Sequence, residues 1–225
     1  MERSVYARLG ALSGAVGAVV YVVSAFAAGT PLKPDASLSQ LIVYLSDRRG
    51  ALLAGDLLAL VAVALFLSFL GYLRAFLAEI DGGKAPLTSV TVVSWVALLL
   101  IVLAGDAPLV AIVWRGARGV APQMARFAFD ASNLSLYSLS STAVALSVLA
   151  PIVLIWRSKA LPRWLVFLGA VEIVVNVAEL VGLFARTGND AAGYVFGVGP
   201  FVWVVWVAAL SVAMVVKPSR AIAAS

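Results

Sequence analysis

Six apolar runs, each long enough to cross a bilayer, leave this chain few ways to fold. One of them, GDLLALVAVALFLSFLGYL, carries a single charged residue, Asp56. Crossing the hydrocarbon core takes about 20 residues of helix, and the runs at 8–29, 51–73, 87–113, 129–156, 164–185 and 194–216 all meet that length. They are unbroken instead of alternating at every second residue, so helices are expected and barrel strands are not. Composition agrees, with 63% hydrophobic residues, 12% charged residues and a mean hydropathy of +1.06. A soluble domain carries about 25% charged residues, so the bilayer has to serve as the solvent. The expected fold is all-α: one integral membrane domain over 1–225, a polytopic transmembrane bundle of six spans.

The missing residue types remove whole chemistries. The chain has no Cys and no His, which excludes disulfides, a cysteine nucleophile, imidazole catalysis and the usual zinc and haem ligands. No GxSxG, HExxH, Walker or dinucleotide motif occurs, and GYVFGVG at 193–199 follows no strand. No cofactor is therefore expected, and an enzyme activity, on a membrane lipid, stays only as a lesser alternative. The formal net charge of +5 reads as topology and contact with membrane lipids instead of nucleic acid.

An even number of spans puts both termini on one side. Basic residues slightly favour that side, with Arg3, Arg8, Arg74, Lys84, Arg157, Lys159, Arg163, Lys217 and Arg220 set against Lys33, Arg48, Arg49, Arg115, Arg118, Arg126 and Arg186. The segments RSKALPR and KPSR are also short and free of acid, whereas the opposing loops mix signs. A multi-pass protein of the cell membrane with cytoplasmic termini is expected. SAFAAG in the first run has small residues at Ala25 and Ala27, as a signal-peptidase site does, but its apolar core exceeds the usual h-region of about 7–15 residues. The first run is read as a retained helix.

Two outer loops carry helical patterns of their own. In PDASLSQLIVYLSDRRG, Leu38, Leu41, Ile42 and Leu45 repeat at helical spacing, Asp35 is placed to cap the start and Gly50 to stop the helix. APQMARFAFDASN brings Met124, Phe127 and Phe129 and runs into the fourth span. Short amphipathic helices are expected in both places, covering the bundle's outer end or forming a lid. Most tryptophans, Trp95, Trp114, Trp156 and Trp164, read as interfacial anchors; Trp203 and Trp206 lie deeper.

The polar residues inside the spans point to function. A carboxylate at mid-membrane costs about 2.5–3.5 kcal/mol and is normally turned toward the bundle interior or a wet cavity. In GAVEIVVNVAELVGLF, Glu172, Asn176 and Glu179 fall within an arc of about 60° on one helix face, sharing a stripe with Gly169, Gly182 and Arg186. Counting about 1.5 Å per residue puts Glu179 in the outer half, with Asp56, Asp106 and the Asp130/Asn133 pair near the same level on three other spans. Asp106, two residues before Pro108, also reads as a helix end. Basic partners expected near this layer are Arg115, Arg118, Arg126 and Arg186. Glu172 lies deeper, with no cation at its level.

RLGALSG entering the first span, PDASLSQLIVYLSDRRGALLAGDLL, the exit FLGYLRAFL and the entry LPRWLVFLGAV together resemble a large group of six-span membrane proteins of actinobacteria and related microbes labelled as domains of unknown function. The resemblance covers nearly the whole chain. It implies an all-helical integral membrane fold and brings no catalytic residues.

Two functions fit this reading. In one, the carboxylate layer binds or transports a cation, a proton or a small amphipathic ligand. In the other, the same residues tie helices together in an accessory subunit, with a partner subunit or a second copy docked on the bundle.

Overall fold

The computed structural model describes residues 2–30, 32–33, 36–82, 86–184 and 198–216. Their regular structure is helical throughout: α1 Glu2–Ala28, α2 Leu38–Asp47, α3 Arg49–Ile80, α4 Pro86–Arg115, α5 Pro122–Leu134, α6 Ser140–Ser158, α7 Trp164–Phe184 and α8 Gly199–Val216. A 3₁₀ turn, Ala117–Gly119, leads from α4 toward α5, and a π-helical turn, Ser135–Leu139, joins α5 to α6. Six helices, α1, α3, α4, α6, α7 and α8, are long and apolar enough to cross a membrane. The protein is a multi-pass bundle.

The spans contact one another in a closed ring, α1 to α3 to α4 to α6 to α7 to α8 and back to α1. One end of the ring is capped. There α2, the 3₁₀ turn and α5 pack on the end of α4 around a small core of Leu41, Leu45, Ile112, Val113, Ala117, Ala125, Ala128 and Phe129. Large apolar residues such as Val19, Leu67, Val93 and Val174 point outward instead, as spans facing acyl chains require.

Several boundaries depart from expectation for local reasons. The α2 N-cap is Ser37, whose hydroxyl accepts from Gln40 N while the Gln40 side chain accepts from Ser37 N, a complete capping box; Asp35, the expected cap, lies outside the described residues. Gly50 does not stop this helix. The chain turns at Arg48, and α3 already includes Gly50. Asp106 does not mark a helix end either, because α4 continues through Pro108 to Arg115. Proline inside a span is tolerated where neighbouring helices and polar side chains re-satisfy the backbone. The expected fourth span at 129–156 is divided, with the spanning part in α6 and its start in α5 and the π turn. The expected starts at 194 and end at 185 of the last two spans also lie outside the described residues.

The tightest helix pair is notched. On α1, a Cβ at Gly10 would meet the Tyr72 side chain at 3.2 Å, one at Gly14 the Phe69 ring at 2.7 Å, and one at Gly17 the Phe66 ring at 3.0 Å. Three glycines of α1 thus accept three aromatic side chains of α3, the close backbone approach that drives association where lipid gives no hydrophobic drive. On its other side α1 is tied to α8 by one hydroxyl. Ser211 Oγ donates to Ala11 O and accepts from Ala15 N at 2.9 Å, bridging both halves of a backbone pair one helical turn apart. Trp95 is not an interfacial anchor: it is fully buried against Phe66, Phe69 and Trp203.

Substituting Gly14 tests the notch. Phe69 is fully buried and has no room to retreat, so Gly14→Val should destabilise the protein by about 1–3 kcal/mol, the usual cost of overpacking. Gly71→Ala, where nothing lies within 4 Å of the added methyl, should leave stability unchanged or raise it. Thermal unfolding of both variants in the same detergent compares them directly.

Candidate functional site

All six spans contribute to one internal cavity of about 490 Å³. Its walls are mostly apolar: Leu60 and Val63 of α3, Leu98, Leu99, Val102 and Leu103 of α4, Leu136 of the π turn and Val144 of α6. Phe66 and Trp203 close its aromatic side, their rings meeting edge to face at 5.2 Å between centroids. Into this apolar surface project Asp56 from α3, Asp106 from α4, Ser140 from α6, Asn176 from α7 and Tyr21 from α1. The cavity therefore has the composition of a small-molecule site, apolar with a few convergent polar groups.

Asp106 is held in place. Ser132 of α5 donates to its Oδ1 at 2.6 Å. Behind it Gly105 meets the π turn so closely that an added Cβ would lie 1.9 Å from Ser135 Oγ. Asp56 accepts no hydrogen bond from any described residue, and it shares the cavity wall with Asp106. Neither aspartate forms an ion pair among the described residues. Since α4 runs nine residues past Asp106, that carboxylate is about 13 Å below the helix end, deeper than the sequence placed it. Asp56, seven residues into α3, is about 10 Å down its own helix.

The polar face of α7 divides into two roles. Glu179 is 1% exposed, and its Oε1 accepts from Gly199 N at 2.9 Å. It thereby takes up one of the backbone donors left free at the buried start of α8. Gly199 is required for that approach, because a Cβ there would sit 2.3 Å from Glu179 Oε2. Glu172 is fully buried. Asn176 Nδ2 donates to Glu172 Oε1 and to Glu172 O, while Oε2 has no partner among the described residues. Asn176 lines the cavity, so Glu172 stands directly behind the wall. Gly169 on the same face admits Ile152 and the Trp206 indole, whose Nε1 donates to Leu165 O at 3.2 Å.

The structure does not bring the remaining sequence candidates to this cavity. Asp130 pairs with Arg126 at 3.0 Å, one turn apart on the half-exposed face of α5, and Arg126 also donates to Ala36 O at 2.9 Å. Asn133 donates to Phe129 O of its own helix. Arg115 is exposed at the end of α4, and Arg118 bridges to Asp47 at 3.3 Å on the surface of the cap. Arg186 lies outside the described residues. Helix depth placed these groups near one level, but rotation about each helix axis decides which ones face inward. Missed by sequence reasoning were Ser132, Ser140, Tyr21 and Phe66, residue types too common in membrane helices to stand out. Among the described residues no cluster of three carboxylates able to hold a metal ion occurs.

Glu179 and Asp106 are thus different kinds of carboxylate, and substitution should separate them. Glu179→Leu removes the acceptor for Gly199 N and should cost about 1–3 kcal/mol, the penalty of a stranded buried donor. Glu179→Gln retains an acceptor and should recover most of that loss in a thermal melt.

Comparison of the chain with protein-family models, with curated proteins and with solved structures found no match, which leaves the chemistry of this cavity as the basis for assigning a function.

Proposed function

We propose that this chain is a cell-membrane binding protein or transporter for an organic cation, held in the cavity by Asp56 and Asp106. One observation carries the reading: two carboxylates from different helices stand on the wall of an apolar cavity with no cationic side chain paired to either among the described residues. Each costs about 2.5–3.5 kcal/mol to insert, and their mutual repulsion adds to that cost. A positively charged ligand would offset both terms.

The walls argue for the ligand's class. An inorganic divalent ion such as calcium needs about 6–8 oxygen ligands, and the cavity supplies few. A proton alone has no need of space for a small molecule. An organic ammonium suits both the volume and the aromatic side, since ammonium groups bind the faces of Trp and Phe rings. With both termini cytoplasmic, the capped end faces outward, and the site lies in the outer half of the bundle.

The structural reading is favoured for one residue only. Glu179 caps α8 and needs no ligand to explain it. Asp56 has no such role among the described residues and Asp106 is tied only by Ser132, so the two readings predict different effects on stability.

Tetrapropylammonium binding to the protein in lipid nanodiscs, measured by calorimetry, tests the assignment. Asp56→Asn and Asp106→Asn should each weaken binding by roughly tenfold or more, about 1.4 kcal/mol. Melting temperatures should hold or rise, because like-charge repulsion is relieved. Unchanged affinity together with a lowered melting temperature would assign both aspartates to helix tying instead.

A further inference from the structure

The cavity has a side entrance. Of the residues that line it, those exposed on the protein surface, Leu60, Leu103, Ala107, Ala111 and Trp114, all belong to α3 or α4. Leu60 is 53% and Leu103 36% exposed. Leu60 stands eleven residues into α3 and Leu103 twelve residues before the end of α4, about 16–18 Å along their helices. At that depth the surrounding medium is acyl chain. By contrast, none of the lining residues from α1, α6, α7 and α8 is exposed.

Toward the capped end the two helices are tied together. Above the cavity, Arg49 at the start of α3 reaches to the end of α4, where Nε donates to Val113 O at 3.0 Å and a terminal NH₂ donates to Trp114 O. This guanidinium satisfies the last carbonyls of α4 and joins the two helices across the top of the gap between them. The apolar core of the cap, built from α2, α5 and the end of α4, lies at the same end. Entry from the leaflet, between α3 and α4, leaves that core undisturbed.

We propose that the ligand is a single-chain amphipathic amine that enters sideways from the lipid leaflet at the capped end, seating its ammonium head between Asp56 and Asp106 while its alkyl chain occupies the apolar cavity and the α3–α4 gap. The inference rests on the cation site proposed above and adds the route and the tail. Charge complementarity selects the head, and the depth of the opening selects the chain.

An alkyltrimethylammonium series, from ethyl to dodecyl, titrated into protein-containing nanodiscs and corrected for partition into empty ones, provides the test. Affinity referred to the free aqueous ligand should rise by about tenfold or more between butyl and dodecyl, as burial of further methylenes away from water allows. Leu60→Trp and Leu103→Trp, at the exposed edge of the cavity, should slow dodecyl association by about tenfold, whereas Leu67→Trp, exposed on α3 and outside the cavity lining, should leave that rate unchanged. An affinity independent of chain length would overturn the inference while leaving the cation site standing. So would portal variants that leave the dodecyl rate unchanged. Loss of discrimination between wild type and the Asp→Asn variants for every member of the series would overturn the cation site and this inference with it.

Discussion

Hydrocarbon offers no hydrogen bonds, so a polar group carried into the bilayer has to find its partner within the protein or remain unsatisfied at a cost of several kcal/mol. The architecture of this bundle can be followed from how each group meets that demand. Most hydroxyls meet it locally: Ser13 donates to Gly10 O, Ser24 to Tyr21 O, Thr91 to Leu87 O and Ser140 to Leu136 O, each within its own helical turn or the adjoining one. Such groups cost little and say little about function. Others meet it across helices, as Ser211 does on α1, Glu179 at the start of α8 and Arg49 on the last carbonyls of α4.

Removing both sets leaves a short remainder whose hydrogen-bonding capacity the described residues do not fill. Asp56 has no hydrogen-bond partner among the described residues, Asp106 has only Ser132, and Glu172 keeps one oxygen without a partner although it is fully buried. All three lie on or directly behind the wall of one cavity. Polar groups with capacity left unfilled are where a ligand's contribution is expected.

Packing explains why a cavity survives at this place. Between α1 and α3 the glycine notches let backbones approach closely and fill the gap with Phe66, Phe69 and Tyr72. Between α3 and α4 contact is made deeper in the bundle, through Phe66, Phe69 and Trp95, while toward the cap Arg49 joins the helix ends. The stretch between these two ties carries Leu60, Leu103 and Ala107, exposed residues of the cavity lining. The π turn at Ser135–Leu139 brings Leu136 to the same wall, and such turns recur where a helix is adjusted around a site.

Much of this protein was legible from residue order alone. The length and apolarity of the runs determined six helical spans, because a chain with 12% charged residues has no other solvent than lipid. The spacing of Leu38, Leu41 and Leu45 determined an amphipathic helix at the capped end, and the stripe of Glu172, Asn176 and Glu179 determined one polar helix face. What only the tertiary structure decided was the rotation of each span about its axis and the partner each polar group meets. Asp130 and Asp106 look alike in the sequence, yet one turns to Arg126 on a half-exposed face and the other to the cavity. Glu172 and Glu179 share a face, yet only Glu179 meets a free backbone donor, since α8 begins at its level. Periodicity sets which residues of a helix lie together; the contacts of neighbouring helices set which way that face points.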